Sequence, residues 1–336
     1  MATRNRLTPS VADVRRAVRE SFERHGVKPN DLVLVACSGG PDSMALAAGL
    51  AFEGPKLGLS IAAVIVDHGI QEITATVARE TKTRLEALGF KSVEIVRVNV
   101  GTEGGLEAAA RDARYQAIDE TAQKLGAKYV LLGHTQDDQA ETVLLGLARG
   151  AGARSLSGMA ELTGNYLRPL LVITRETTVQ ACLDAELTVW NDPHNTEARF
   201  TRVRVRNIVL PLLETELGPG ISEALARTAD QLREDVDLLD ELAQSEFEKL
   251  AKVQPTSLTI AVSALAGLPT ALRYRVIRIA GTKLGGHLHR THVLEIDRLL
   301  TNWHGQKPLT VPSVRVERIG ENIVFKSTKT LKPGAC

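Results

Sequence analysis

Leu32-Val33-Leu34-Val35-Ala36-Cys37-Ser38-Gly39-Gly40-Pro41-Asp42-Ser43-Met44-Ala45-Leu46 is the stretch that decides the fold. Its apolar opening is too short for a buried helix and fits a strand covered on both faces. The run from Ser43 to Leu50 has the composition of a helix start, so Ser38 to Ser43 forms a strand-to-helix turn. Two glycines let the backbone take positive φ or pass close to a ligand, and Pro41 suits a first helical turn, where no N–H is missed. The free amides of that turn point outward at the positive end of the helix dipole, an arrangement built for phosphate. It is not a Walker loop, since no Gly-Lys-Ser/Thr follows, and not a dinucleotide fingerprint, since the third glycine is absent. By itself the turn also fits a capped βα connection without a ligand.

Further along, the pattern repeats. Leu59 to Val66 is a second continuous apolar run, ending at Asp67-His68-Gly69. A helix over Ile73 to Leu88, a strand at Val93 to Val98, a helix at Leu106 to Leu125 and a strand at Tyr129 to Leu132 follow. Strands alternating with helices of this length predict right-handed βαβ units in a parallel sheet, with ligands outside the carboxyl ends of the strands. Three polar clusters, Ser38–Ser43, Asp67-His68 and Gly133-His134-Thr135-Gln136-Asp137-Asp138, fall on that rim. Before the first strand, Val11, Val14, Val18 and Phe22 mark an amphipathic helix over residues 10–25 with arginines on its other face.

The helix after Gly133 puts Asp137 and Glu141 four apart, with Asp138 beside them, and like charges at that spacing repel. A divalent cation or a cationic substrate would compensate; an acid-rich helix start favoured by the dipole is the plainer reading. His134 fits either a base or phosphate ligand or a hydrogen-bonded loop residue. On the helix from Leu106, Arg111 and Arg114 lie at or beside the buried stripe and need an anionic partner, either Asp137 or Glu141 or a substrate oxyanion.

Gly146 to Gly158 is glycine-rich and predicts a mobile loop carrying Arg149 and Arg154. Tyr166 to Leu171 predicts a last strand, and residues 176–185 a helix. Arg199, Arg202, Arg204 and Arg206 are more arginines than a solvated helix face needs, and Pro211 is expected to kink or end that helix. Residues 221–250, with nine acidic and three basic side chains, predict a long acidic connector helix. A smaller unit follows, with helices near 270–284 and 291–302 and a hairpin of Val314–Ile319 with Asn322–Phe325. Residues 271–336 carry twelve basic and four acidic side chains, a polyanion-binding composition that singles out Arg273, Arg275 and Arg278.

The net charge of +1 over 336 residues hides this asymmetry. Three isolated cysteines, Cys37, Cys182 and Cys336, form no metal-ligand pattern. No signal peptide or apolar run of membrane-spanning length is visible, so a cytoplasmic protein is expected.

The loop resembles the pyrophosphate loop of the N-type ATP pyrophosphatases. Together with Val66-Asp67-His68-Gly69, Ala110-Arg111-Asp112-Ala113-Arg114-Tyr115, Gly133 to Thr142, Arg168-Pro169-Leu170-Leu171 and Asp192-Pro193-His194-Asn195 to Arg206, it resembles the tRNA(Ile)-lysidine synthetase family, short form with one appended unit. The family commonly carries Arg-Asn where this chain has Arg202-Val203.

The resemblance implies an α/β fold: a Rossmann-like parallel sheet flanked by helices over 1–217, the acidic connector over 218–250, and a smaller, mostly α tRNA-binding domain over 251–336. It implies ATP-dependent ligation of L-lysine to the wobble cytidine of a minor isoleucine tRNA through an adenylated cytidine, releasing AMP and pyrophosphate. Ser38, Gly39, Gly40, Pro41 and Ser43 would hold the pyrophosphate, and Asp42 would act with Mg²⁺. Val66, Asp67, His68 and His134 would complete the nucleotide site. Arg111 and Arg114 would bind an adenylate phosphate or the lysine carboxylate, and Asp137, Asp138 and Glu141 would attract the lysine amine. Arg149, Arg202, Arg204, Arg206, Arg273, Arg275 and Arg278 would contact tRNA. No membrane partner is expected, and a homodimer is compatible. A sulfur-inserting relative would need paired or cluster-ligating cysteines. A silent RNA-binding relative would not need the three acids.

Overall fold

Leu32–Ala36 (β1) lies inside a six-stranded sheet in the computed structural model, which describes residues 7–67, 72–98, 106–190, 197 and 199–328. Before it comes Pro9–Arg24 (α1) and after it Pro41–Lys56 (α2), Ser60–Asp67 (β2), Glu72–Ala87 (α3), Ser92–Arg97 (β3), Leu106–Leu125 (α4), Tyr129–Leu132 (β4) and Gln136–Ala148 (α5). One turn at Ala153–Leu156 (α6), a short hairpin of Leu162–Thr163 (β5) and Tyr166–Leu167 (β6), and Arg175–Asp184 (α7) complete the sheet and its cover. The sheet order is β3-β2-β1-β4-β6-β5; every pairing is parallel except β5 with β6. Strand order reverses between β1 and β4, which opens the ligand crevice of a doubly wound sheet at their carboxyl ends.

Both faces are covered, which is why the strands are continuously apolar. Val33 and Val35 pack with Met44, Leu46 and Leu50 of α2 and with Val14, Val18 and Phe22 of α1. Leu34, Val64, Val130 and Leu132 point the other way, onto Ile118 and Ala122 of α4.

Two local expectations change. The strand expected over Tyr166–Leu171 pairs only at Tyr166 and Leu167, because Pro169 has no N–H for the ladder and begins a 3₁₀ turn over Pro169–Val172. Pro211 does not end its helix. The chain runs from Thr201–Arg204 (α8) through a wide π turn, Val205–Val209, into Leu210–Leu217 (α9), and the wide turn takes up the proline at the start of α9. The glycine-rich loop includes α6, and its exit is tied to α5 by Gln139, whose side chain donates to the Met159 carbonyl (2.8 Å) and accepts from its amide (2.6 Å).

The chain divides into compact units at Arg233/Glu234, within Ile221–Leu250 (α10), rather than on either side of that helix. The second unit is a five-stranded antiparallel sheet of Lys252–Val253 (β7), Ser257–Ala261 (β8), Leu309–Val311 (β9), Val314–Ile319 (β10) and Asn322–Ser327 (β11), in the order β7-β8-β11-β10-β9. Its helices are Val262–Ala266 (α11), Thr270–Lys283 (α12) and Arg290–Thr301 (α13). The expected hairpin is therefore the centre of a larger sheet, packed through Leu258, Ile260 and Phe325 onto Val276, Ile277 and Ile296. Among the described residues no helix is long and apolar enough to cross a membrane.

Candidate active site

Between β1 and α2 the backbone makes the turn that the glycines allow. Gly39 sits at φ +84°, and a Cβ there would lie 2.5 Å from Thr81 Oγ1. Ser43 braces the loop from inside: Oγ accepts from the Ser38 amide (3.2 Å), donates to the Gly40 carbonyl (3.0 Å) and lies 3.2 Å from Ser38 Oγ. No side chain caps α2 at Gly40, and Pro41 opens the helix, so first-turn amides are left for a ligand. The rim loop after β4 presses on this turn. A Cβ on Gly133 would stand 3.1 Å from the Asp42 carbonyl group and Ser43 Cα, so only glycine lets the two loops approach. Asp67 is buried at the end of β2 and accepts from Thr74 Oγ1 (2.6 Å); Val66 beside it is partly buried. His68 and the Asp192-Pro193-His194-Asn195 turn lie outside the described residues.

The acids of α5 are compensated by the protein itself. Asp138 closes a capping box with Thr135, whose amide donates to Oδ2 (2.9 Å). Its Oδ1 receives Arg175 (3.0 Å) and Arg206 (3.3 Å). Glu141, with no exposed surface, meets Arg202 (2.7 Å), Arg206 (2.6 Å) and Arg175 (3.3 Å). Burial works to raise the Asp138 pKa, but Arg175, the Thr135 amide and Arg202 hold it below the usual carboxylate value. Arg175 also reaches Asp42 (3.4 Å), and Thr178 Oγ1 sits on the other Asp42 oxygen. Burial still lifts the Asp42 pKa. The Arg175 amide donates to Asp137 Oδ2 (2.7 Å). Among the described residues the protein cations against Asp138 and Glu141 are Arg175, Arg202 and Arg206, and not Arg111 or Arg114.

Beside this cluster lies a group of cations with no carboxylate against them among the described residues. The guanidiniums of Arg111 and Arg114 stand 5.4 and 5.5 Å from the Tyr115 ring, which packs edge-on against Tyr166. Arg168 is 8% exposed; its Nη1 donates to the Ala160 carbonyl (2.9 Å) and to Thr163 Oγ1 (3.2 Å), while Nε is buried with no partner among the described residues. Burial lowers the pKa of both Arg114 and Arg168. His134 Nδ1 is likewise buried with no partner among the described residues, and burial lowers the imidazole pKa to about 4, so the ring is neutral at physiological pH. Arg114 and Arg168, desolvated and with no carboxylate against them among the described residues, stand with the exposed Arg111 and a neutral imidazole and suit an anionic ligand.

Two family models match this chain. Residues 11–213 match the PP-loop domain, and 261–319 match the TilS substrate binding domain. A tRNA(Ile)-lysidine synthase from Thermobifida fusca is 52% identical over 310 residues, covering 91% of this chain and 94% of that protein. Another, from Leifsonia xyli subsp. xyli, is 50% identical over 303 residues, covering 90% and 91%. The chain belongs to the tRNA(Ile)-lysidine synthase family. Its fold is also that of the U34-tRNA thiolase NcsA from Methanococcus maripaludis, a structure with a [4Fe-4S] cluster (TM-score 0.57, 19% identity, 67% of this chain and 80% of that one). At that identity the likeness concerns the fold alone.

Within this lysidine synthase fold, other residues singled out from the sequence differ in exposure and in what they contact. Arg149 and Arg204 are exposed, Arg204 donating to the Arg199 carbonyl (3.0 Å). Arg202 and Arg206, expected on RNA, lie against Glu141. Arg273 is paired with Asp297 (2.7 Å; side chains 12% and 11% exposed) and donates to the Leu268 carbonyl, so it ties α12 to α13. Arg275 pairs with Asp240 of α10 (2.7 Å). Of that trio only Arg278 is exposed. Arg168 was marked in the sequence only as part of a motif, without a role, and Arg175 and Thr178 were not marked at all. The signal for Arg175, Thr178 and Cys182 was a spacing of three and then four along one helix face, and all three touch the loop or Asp42; Cys182 Sγ donates to the Pro41 carbonyl (3.3 Å).

Proposed function

We propose that this chain joins L-lysine to the wobble cytidine of a minor isoleucine tRNA, consuming ATP and releasing AMP and pyrophosphate. The observation that carries the reading is the uncapped start of α2 at the β1/β4 crevice, joined through Asp42 and Arg175 to the acids of α5. ATP supplies activation, since a cytosine carbonyl oxygen leaves poorly until it is adenylated. The loop fits a triphosphate: Gly39 and Gly40 bring bare backbone to it, and the first-turn amides offset the charge that develops on departing pyrophosphate. Asp42 is the carboxylate suited to Mg²⁺. Asp42 would hold the ion together with the phosphates of the nucleotide.

Asp137 is the acid we assign to the incoming lysine. Glu141 is enclosed by three guanidiniums and Asp138 is engaged at both oxygens, whereas Asp137, among the described residues, has the Arg175 amide against one of its two. A lysine amine with a reference pKa of about 10.4 has to lose a proton before attack, and a carboxylate beside it can receive that proton. Arg111, Arg114 and Arg168 supply the positive wall for the adenylyl phosphate or the lysine carboxylate. Exposed arginines, Arg149 and Arg204 in the first unit and Arg278 in the second, are assigned to tRNA phosphates.

The test is transfer of radiolabelled lysine with ATP, run side by side on the isoleucine tRNA with a wobble cytidine and on the methionine tRNA of the same anticodon. Label on the first and none on the second is expected; label on neither removes the reading.

A further inference from the structure

The Arg175 guanidinium is shared by three carboxylates from two elements, and the three do not depend on it equally. Asp138 and Glu141 keep Arg202 and Arg206 if Arg175 is taken away. Asp42 has Arg175 as its cationic partner among the described residues, and that contact, at 3.4 Å through Nε, is the longest of the three. Meanwhile Thr178, fully buried one turn along α7, sits on the other Asp42 oxygen and on the Arg175 carbonyl (2.8 Å). The Asp42 carboxylate is therefore oriented by a hydroxyl and neutralised by a guanidinium, two separable jobs.

We propose that Arg175 is a positioning residue: it is the resident counter-cation of Asp42 and yields that carboxylate to the divalent cation accompanying ATP, while keeping its hold on Asp138 and Glu141. This rests on Asp42 being a metal ligand, as proposed above. Two cations cannot share one carboxylate oxygen without mutual repulsion, so an arginine on Asp42 weakens metal binding before the nucleotide arrives. Phosphates bring the extra negative charge that makes the exchange favourable. The Thr178 hydroxyl keeps the carboxylate aimed while its counter-charge changes, and the remaining contacts of Arg175 keep α7 on α5 throughout.

Mn²⁺ binding to the full chain, followed by the electron paramagnetic resonance signal of free Mn²⁺, tests this without turnover. In the absence of nucleotide, Arg175→Met should bind Mn²⁺ at least about tenfold more tightly than wild type, a floor set by the repulsion between a unit charge and a divalent ion some 4 Å apart when screened as in bulk water. Arg175→Gln, a second neutral variant, should do the same if the first fails to fold, and Arg175→Lys should stay near wild type. Adding Asp42→Asn to the neutral variant should abolish the gain. An unchanged affinity in both neutral variants, or a gain that survives Asp42→Asn, overturns the proposal. A separate arm, wild type with a non-hydrolysable ATP analogue, reports on the metal role itself: if Asp42→Asn leaves Mn²⁺ uptake there unchanged, the underlying reading fails as well. If Asp42→Asn weakens that uptake while the neutral variants show no gain, the counter-cation role alone is lost.

Discussion

Glu141 has no exposed surface and three guanidiniums against it, so its charge serves the protein before it serves a substrate. Replacing it with Gln keeps the shape and removes the charge, leaving Arg202 and Arg206 without their main partner. With those arginines still partly solvated, a loss of about 1–3 kcal/mol is expected, read as a lower denaturant midpoint; an unchanged midpoint would show that the pairs are not structural. His134 gives a pH signature. Burial drives its pKa from 6.5 to about 4 against the pull of Asp138, while in the unfolded chain the imidazole still protonates near 6.5. Between these values the unfolded state binds the extra proton, so this contribution is fully present above pH 6.5 and is lost as pH falls through 4, by at most about 3 kcal/mol. His134→Gln should flatten the stability curve over that window. Curves that stay parallel would place the imidazole in an environment other than the buried one described.

At the level of elements, the site is made by two βα turns pressed together and one helix laid across them. Gly133→Ala would put a methyl group 3.1 Å from the backbone at Asp42 and Ser43, so one loop has to shift. ATP affinity should fall about tenfold or more while the melting temperature moves by a few degrees, measured by nucleotide titration and thermal melt; unchanged affinity would mean that the loops do not form one site. These turns were legible in the sequence because their chemistry is local: glycines at fixed offsets, apolar runs before them, acids just after. Arg175 was not. Thr174-Arg175-Glu176 has the composition of any polar helix start, and its tie to Asp42 spans 133 positions that no periodicity encodes. The excess of arginines over 199–206 was visible, but not that Arg202 and Arg206, one turn apart, turn inward to Glu141 while Arg204 faces outward. Strands β7 and β9 have two and three residues, too few to show alternation, and with the five-residue β8 they were missed, so the second sheet was foreseen only as its central hairpin.

For the whole molecule, charge count was a poor guide to which cations of the second unit are open. Arg273→Ala would strand Asp297, itself 8% exposed, and should destabilise that unit by about 3 kcal/mol or more. Arg278→Ala should leave the fold unchanged and reduce the salt slope of tRNA binding by about one. The reverse pattern would exchange their roles. The account as a whole stands on Asp42 and the loop around it serving the nucleotide chemistry, while other surfaces hold the RNA. The most direct measurement is transfer of label from α-³²P-ATP to the isoleucine tRNA in the absence of lysine, in wild type and in Asp42→Ala, alongside filter binding of the same tRNA. Labelled tRNA in the wild type, none in the variant, and tRNA affinities within about twofold of each other are predicted; wild-type labelling by Asp42→Ala would contradict the account.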